Sequence, residues 1–211
     1  MKKSIGVKRT ATYHHWKAPK SKKLFYVIHG YGQLAGDFIE VFRPLEGKAE
    51  LVAPEGLSRY YNKTKKAVAS WMTSHERESE IEDYVNYLEL LHGEISRNQQ
   101  FEKVFLLGYS QGVSTAMRWL ANTKVSFERI YLCSGSIPPE LSLNDVKFQS
   151  NGIFHYFYGD HDPLLTVDKA SEQVALLREL TDQVEAKEFK GGHEVSSTSL
   201  KLIEAHLSEI N

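Results

Sequence analysis

The sequence predicts an α/β fold with a mostly parallel central sheet and helices on both faces. Apolar runs, the clearest at 24–28 and 104–107, alternate along the chain with segments of helical periodicity. These runs are apolar throughout, which is typical of strands that are covered on both sides. The 211 residues are enough for a large core, and we expect a single domain over 1–211.

The first half of the chain begins with two strand-like runs, at 4–16 and 22–29. A short polar turn joins them, so we expect an antiparallel hairpin at one edge of the sheet. A helix is predicted around 36–46 and a short strand at 51–54. Residues 55–74 are predicted to be irregular, since polar residues dominate the stretch.

A helix should follow that irregular stretch. Thr73–Glu76 matches the capping-box pattern that starts helices, and an apolar stripe continues it to Ile95. After a strand and helix at 103–121, the chain continues to alternate. The remaining predicted elements are a strand at 129–134, a polar loop at 136–152, a strand at 154–158, a helix at 167–180, a strand at 184–189 and a helix at 196–210.

The charge and cysteine content exclude several classes of function. With 26 basic and 27 acidic residues the formal charge is −1, so no global field attracts nucleic acid or an anionic membrane. The single cysteine, Cys133, excludes an internal disulfide and lies in an apolar run. The N-terminal residues lack the apolar stretch of a signal peptide, and no window is long enough for a membrane span. We expect a cytoplasmic protein with no nucleic-acid partner and no stable membrane insertion.

The sharpest motif is Gly-x-Ser-x-Gly at 108–112. The strand ends there and a helical pattern begins at once, so the turn should hold the Ser110 hydroxyl exposed above the sheet. We expect Gly108 and Gly112 to lie where a Cβ would collide with the neighbouring strand and helix. The motif alone occurs often by chance, but its position between a strand and a helix indicates a nucleophile elbow.

A serine nucleophile needs a base and a group that orients the base. His193 follows the last predicted strand, and the glycines before it let its loop fold back towards the elbow. The preceding strand ends at two aspartates. Asp162 precedes a proline, which holds it in an extended conformation and favours it as the orienting acid, whereas Asp160 can also cap the turn. The residue types and their positions alone do not decide which of the two aspartates orients the histidine.

The same edge of the sheet offers an alternative in which the side chains bind a metal ion. The spacing of these residues matches no compact zinc motif, and the elbow serine would then have no role. We therefore expect neither a metal nor a cofactor. The possible ligands are His155, Asp160, His161, Asp162 and His193.

Negative charge that develops on a substrate carbonyl needs fixed hydrogen-bond donors. The backbone N–H of Gln111, directly after Ser110, is one candidate. The other is the backbone N–H of Tyr31, in a loop where flanking glycines let the main chain approach closely. His29 in the same loop is expected to hold the loop by hydrogen bonds.

These motifs resemble the phospholipase/carboxylesterase family of α/β-hydrolases, which includes small bacterial carboxylesterases and acyl-protein thioesterases. The resemblance covers residues 24 to 207, with the motifs in the family's order. The matching motifs are Ile28–Gly32 with Asp37 (oxyanion loop), Ser70–Met72 (acyl pocket), Gly108–Gly112 (elbow), Gly159–Asp162 (acid loop) and Gly192–Val195 (histidine loop). Two positions depart from the pattern, Tyr158 before the acid loop and Val113 after the elbow.

The resemblance implies an α/β-hydrolase fold without a large lid, and it favours Asp162 over Asp160. It also implies that Trp71 and Met72 line an apolar acyl site, to which Leu164 and Leu165 can contribute. Tyr60 and Tyr61, with Trp71, could instead bind a sugar or an aromatic ester, or simply pack over the edge of the sheet.

The sequence therefore predicts a Ser110–His193–Asp162 hydrolase that cleaves carboxylic esters or thioesters through an acyl-enzyme. The expected partner is a small acyl ester, and a homodimer could cover an apolar active-site mouth. Amidase or peptidase chemistry with the same residues, and a binding module without catalysis, remain alternatives.

Overall fold

The computed structural model describes residues 1, 3–141 and 152–209. The helices are α1 (Ala35–Ile39), α2 (Arg77–Ser96), α3 (Gln111–Asn122), α4 (Val167–Leu180) and α5 (Ser197–Glu209). The strands are β1 (Tyr13–Trp16), β2 (Lys23–Ile28), β3 (Glu50–Pro54), β4 (Ser58–Tyr61), β5 (Ala67–Ser70), β6 (Lys103–Tyr109), β7 (Arg129–Cys133), β8 (Ile153–Gly159) and β9 (Val184–Phe189).

Within these ranges, seven strands form one sheet in the order β1-β3-β2-β6-β7-β8-β9. All neighbouring pairs are parallel except β1 and β3, so the edge strand alone is antiparallel. This arrangement confirms the predicted α/β class with a mostly parallel sheet. The carboxyl ends of β6, β7, β8 and β9 share one edge, where parallel sheets bind ligands.

The predicted N-terminal hairpin is wrong. β1 pairs with β3, from Tyr13 opposite Pro54 to Trp16 opposite Leu51, and β3 therefore lies between β1 and β2. Burial explains this order, because β2 is buried along nearly its whole length whereas β1 is exposed or half-buried and suits an edge. The predicted strand at 4–16 is also too long, since residues before Tyr13 are not in a strand.

The stretch predicted to be irregular contains a second small sheet. β4 and β5 form an antiparallel hairpin with Ser58 opposite Ser70, and residues of β4 alternate between half-buried and exposed. An isolated bridge between Gln33 and Ala69 attaches the hairpin to the loop that follows β2. This hairpin consequently lies beside the edge of the main sheet where the functional motifs lie.

Two predicted helices also differ in detail. The prediction of a capping box at 73–76 is wrong, because α2 begins at Arg77. Thr73 bonds the Glu80 carboxylate instead, through its backbone N–H at 2.6 Å and its hydroxyl at 2.9 Å. The helix predicted around 36–46 continues beyond α1 as a 3₁₀ segment, Glu40–Leu45, which contains Pro44. Proline has no N–H to donate, which limits α-helical bonding there. Most of the loop predicted at 136–152 lies outside the described residues.

Two layers of apolar side chains cover the sheet. Leu24, Tyr26 and Ile28 of β2 pack with α2, α3 and α4, whereas Phe25 and Val27 face α1 and α5. Alternate residues of a strand point to opposite faces, so a strand covered on both sides must be apolar at every position. Among the helices of the described part, none is long and apolar enough to cross a bilayer.

Candidate active site

Ser110 sits in a strained turn between β6 and α3. Its backbone has φ 54° and ψ −119°, in the left-handed half of conformational space that side chains rarely adopt. Two residues before it and two residues after it, only glycine fits. A Cβ on Gly112 would lie 2.2 Å from the Ile28 carbonyl oxygen, and one on Gly108 would lie 2.4 Å from that of Gly112. The tight approach of α3 to β2 and β6 therefore holds Ser110 at the carboxyl edge of the sheet.

Three side chains from separate loops form a hydrogen-bonded series at this edge. Ser110 Oγ lies 2.9 Å from His193 Nε2, and His193 Nδ1 lies 2.8 Å from Asp162 Oδ2. Because a carboxylate can only accept, Nδ1–H donates to Asp162 and Nε2 is left to accept the serine proton. The geometry thus pairs a hydroxyl, a base and a group that orients the base.

Asp162 is held in place independently of the histidine. Its carboxylate is buried, and Oδ1 accepts the backbone N–H groups of Leu164 at 2.8 Å and Leu165 at 3.0 Å. The two donors leave Oδ2 directed at His193. The chain after β8 therefore builds a fixed acceptor from local backbone bonds.

Asp160 has a different role in the structure. It bonds the Lys190 ammonium at 2.6 Å, the His161 ring at 2.6 Å and the Gly191 N–H at 3.1 Å. The hydrogen bond from Lys190 is the main reason that the pKa of Asp160 lies below its ordinary value. Asp160 thus ties the acid loop to the loop that carries His193, whereas the His193 imidazole bonds Asp162.

A tyrosine that the sequence reasoning missed supports the histidine loop. The Tyr109 hydroxyl donates to the His193 carbonyl at 2.7 Å, and the two rings lie 5.2 Å apart. Burial raises the pKa of Tyr109 to about 12, so the phenol remains a donor at neutral pH. Its place beside Ser110 in the elbow motif was the only signal in the sequence.

The loop after β2 presents one backbone donor. The Gly30 N–H bonds the Gln33 side chain at 2.8 Å, and the Gly32 N–H bonds the Ala69 carbonyl at 2.9 Å. Between them, the Tyr31 N–H has no acceptor among the described residues. Gln111 supplies a second such group, because it is the first residue of α3 and the first N–H groups of a helix have no intrahelical partner.

A network of side chains fastens this loop to the elbow. Gln111 Oε1 accepts the Trp71 backbone N–H at 3.0 Å, and Gln111 Nε2 donates to the Met72 carbonyl at 2.9 Å. The Trp71 indole N–H then donates to the His29 carbonyl at 2.9 Å. Trp71 and Met72, which directly follow β5, consequently link the residue that follows the serine to the loop that holds Tyr31.

His29 is buried within this network as a neutral ring. Nδ1 donates to the Gly30 carbonyl at 2.7 Å, and Nε2 accepts the Gly56 N–H at 2.9 Å. Desolvation by burial lowers the pKa of His29 to about 4. A protonated ring could not accept from Gly56, so the network depends on the neutral form.

We expect stability to fall in mild acid. The unfolded state gains a proton on His29 near the ordinary pKa of 6.5, whereas the folded state resists until about pH 4. The unfolded state therefore binds more protons in this window, and the free energy of unfolding decreases as pH falls through it. Between pH 7 and pH 5 the loss from His29 should be about 2 kcal/mol, measurable by urea unfolding. His29→Asn cannot gain this proton and should show a shallower decline; an equal decline would contradict the assignment.

A cleft of about 220 Å³ opens beside the serine. A larger cavity of about 620 Å³ lies between Lys3 and Ser4 near the N-terminus and residues 74–79 around the start of α2, and Ser110 does not line it. Leu164 and Leu165 line the smaller cleft, and Leu164 is 69% exposed. The lining of this cleft comprises Ser110, Gln111, Ser114, Ser134, Gly135, Ser136, Leu164, Leu165 and His193.

The structure does not bring Trp71 and Met72 to that cleft lining. Trp71 is 1% exposed and packs on His29 and Tyr84, so its side chain belongs to the core beneath the loop. The Met72 sulphur lies 3.4 Å from the Arg118 guanidinium. Among the described residues, no group of three or more His, Cys, Asp or Glu side chains could hold a metal ion.

Comparisons with known proteins give the same fold. Over 97% of this chain and 100% of the other, esterase PE8 aligns with a TM-score of 0.75 at 20% identity. A carboxylesterase from Mesorhizobium loti aligns over 94% of each chain, with a TM-score of 0.74 at 15% identity. Acyl-protein thioesterase 2 from Zea mays has a TM-score of 0.70 at 15% identity, over 95% of this chain and 99% of the other. No curated protein sequence matches.

At these identities the structural neighbours establish the α/β-hydrolase fold. Membership of a family comes from the sequence itself, because a family model described as phospholipase/carboxylesterase matches residues 16–211. The chain therefore belongs to the phospholipase/carboxylesterase family.

Proposed function

We propose that this protein is a serine hydrolase that cleaves carboxylic esters through an acyl-enzyme intermediate. One observation carries the proposal, the hydrogen-bonded series from Asp162 through His193 to Ser110. Family membership supports hydrolase chemistry in general, and the side-chain geometry supports the serine mechanism in particular.

In the first half of the reaction, His193 Nε2 takes the proton as Ser110 Oγ attacks the acyl carbon. The imidazolium that forms is stabilised by Asp162 through Nδ1–H, and it then gives its proton to the leaving alcohol. The products of this half are the free alcohol and an ester between the acyl group and Ser110. In the second half, water attacks that ester by the same proton transfers and releases the acid.

The tetrahedral intermediate carries negative charge on the former carbonyl oxygen. The backbone N–H groups of Tyr31 and Gln111 are the donors that we assign to it, each worth roughly 3 kcal/mol in the transition state. Trp71 has a positioning role in this proposal, since its indole holds the His29 carbonyl in the loop before Tyr31. A thioester would react by the same steps.

The test combines labelling with turnover. A fluorophosphonate should label the protein at Ser110, and p-nitrophenyl acetate and butyrate should be hydrolysed faster than the octanoate, because the cleft is only about 220 Å³. p-Nitroanilides of the same acids should react far more slowly, and a chelator should not change the rate. Labelling elsewhere or not at all would contradict the serine mechanism, while anilide rates equal to the ester rates would favour an amidase.

A further inference from the structure

A second serine lies beside Ser110 at the same edge of the sheet. Ser134 directly follows β7 and lines the cleft together with Ser110 and His193. The residue is 1% exposed, and its Oγ has no hydrogen-bond partner among the described residues. Buried hydroxyls are nearly always bonded, since an unpaired one loses its bonds to water without replacement, so this orphan calls for a physical explanation.

The backbone of Ser134 is also strained. Its φ of 48° lies in the left-handed region, like that of Ser110, and these two serines follow neighbouring strands. The Ser134 N–H holds the conformation by bonding the Phe157 carbonyl at 2.9 Å. Strained residues other than glycine concentrate at functional sites, where the fold maintains an unfavourable conformation for a purpose.

The cleft around Ser134 is closed at its base and polar on one side. Ser134, Gly135 and Leu165 are buried, whereas Ser136 and Leu164 are exposed at the mouth. The leaving alcohol must escape to solvent before water attacks, but the acyl group stays bonded to Ser110 Oγ. The closed part of the cleft therefore suits the acyl group, and the open side suits the leaving alcohol.

Building on the proposed ester hydrolase function, we propose that Ser134 determines specificity for short acyl groups that carry an additional oxygen close to the carbonyl. Esters of small hydroxy acids are the substrate class. The hydroxyl of such an acyl group would pair with the orphan Ser134 Oγ, whereas a plain alkyl chain would leave it unpaired. A volume of about 220 Å³ lies below the range of roughly 300–1,000 Å³ usual for drug-sized ligands, so the acyl group is short.

The experiment compares p-nitrophenyl butyrate with p-nitrophenyl 3-hydroxybutyrate, each corrected for its rate of hydrolysis by hydroxide. The wild-type protein should favour the hydroxyacyl ester in kcat/KM by about tenfold, the discrimination expected from one buried hydrogen bond. Ser134→Ala should remove this preference, because it should lower kcat/KM for the hydroxyacyl ester by more than it changes kcat/KM for the butyrate. Ser134→Gly removes the same hydroxyl and relieves the left-handed strain, which guards against a folding defect in the alanine variant.

Ser208→Ala, an exposed change on α5, is the matched control and should keep the preference. Absence of a preference in the wild type, or its persistence in both Ser134 variants, would overturn the inference while leaving ester hydrolysis intact. An equal fall with both esters would assign the hydroxyl a structural role and would also overturn it. If neither ester shows turnover that depends on Ser110, the proposed function fails and the inference fails with it.

Thermal unfolding provides a readout besides activity. Removing an orphan hydroxyl removes a desolvated polar group, so the Tm of Ser134→Ala should equal or exceed that of the wild type. A clear decrease of Tm in both Ser134 variants would mean that the hydroxyl is already bonded inside the protein, and the specificity role would then be rejected.

Discussion

Replacing Ser110 by alanine is expected to lower kcat for p-nitrophenyl acetate by at least about 10⁴-fold, because no other group in the proposed mechanism can form the acyl-enzyme. Only the hydroxyl is removed, and alanine tolerates the left-handed backbone about as well as serine does. Stability should therefore change little. The measurements are steady-state kinetics and a thermal unfolding curve for each protein.

Ser208→Ala is again the matched control, since its hydroxyl bonds the carbonyl one helical turn earlier on an exposed face of α5. It should retain wild-type kcat. If Ser110→Ala keeps even a tenth of the activity with the fold intact, the acyl-enzyme proposal is wrong and another nucleophile must be sought.

Asp162→Asn is expected to lower kcat by about 10⁴-fold, the effect that a reversed imidazole tautomer has in serine proteases. The reason lies in the local backbone. The N–H groups of Leu164 and Leu165 require an acceptor, so the amide oxygen of asparagine should take the Oδ1 position. Its NH₂ group then faces His193 Nδ1 and donates to it. The imidazole proton moves to Nε2, which can no longer accept the proton of Ser110.

Asp160→Asn is the matched comparison, two residues away in the same loop. Its amide oxygen can still accept the Gly191 N–H, and the lost contacts to Lys190 and His161 are with exposed side chains. We expect kcat within about threefold of the wild type, since exposed ion pairs contribute little. A large loss in this variant together with a small loss in Asp162→Asn would exchange the roles of the two aspartates.

Strand pairing shows where sequence reasoning reached its limit. The apolar run of β2 predicted a strand covered on both faces, and the half-polar β1 suits an edge. The predicted pairing of β1 with β2 is wrong because strands that are adjacent in the sequence need not be adjacent in the sheet. β3, which comes later in the chain, inserts between them and matches both neighbours through its buried residues. Only long-range packing decides between these arrangements.

Trp71 and the two aspartates show the same limit at the site. A tryptophan near an elbow is compatible with lining a pocket or with filling a core, and burial against His29 and Tyr84 decides for the core. Asp160 and Asp162 are alike in type and follow the same strand. Which of them meets His193 depends on the path of the loop, which backbone bonds to Leu164 and Leu165 determine.

By itself, the sequence predicted the succession along the chain of the helices and of the strands other than β4 and β5, the turn at Ser110 and the loop that carries His193. These features follow from local periodicity and from glycines that only a close approach of backbone requires. The tertiary structure alone decided the order of the strands within the sheet, the choice of Asp162 as the partner of His193, the burial of Trp71 and the unpaired hydroxyl of Ser134. Each of these depends on atoms that are distant in sequence or on a loop path that meets them, and local patterns carry no information about such contacts.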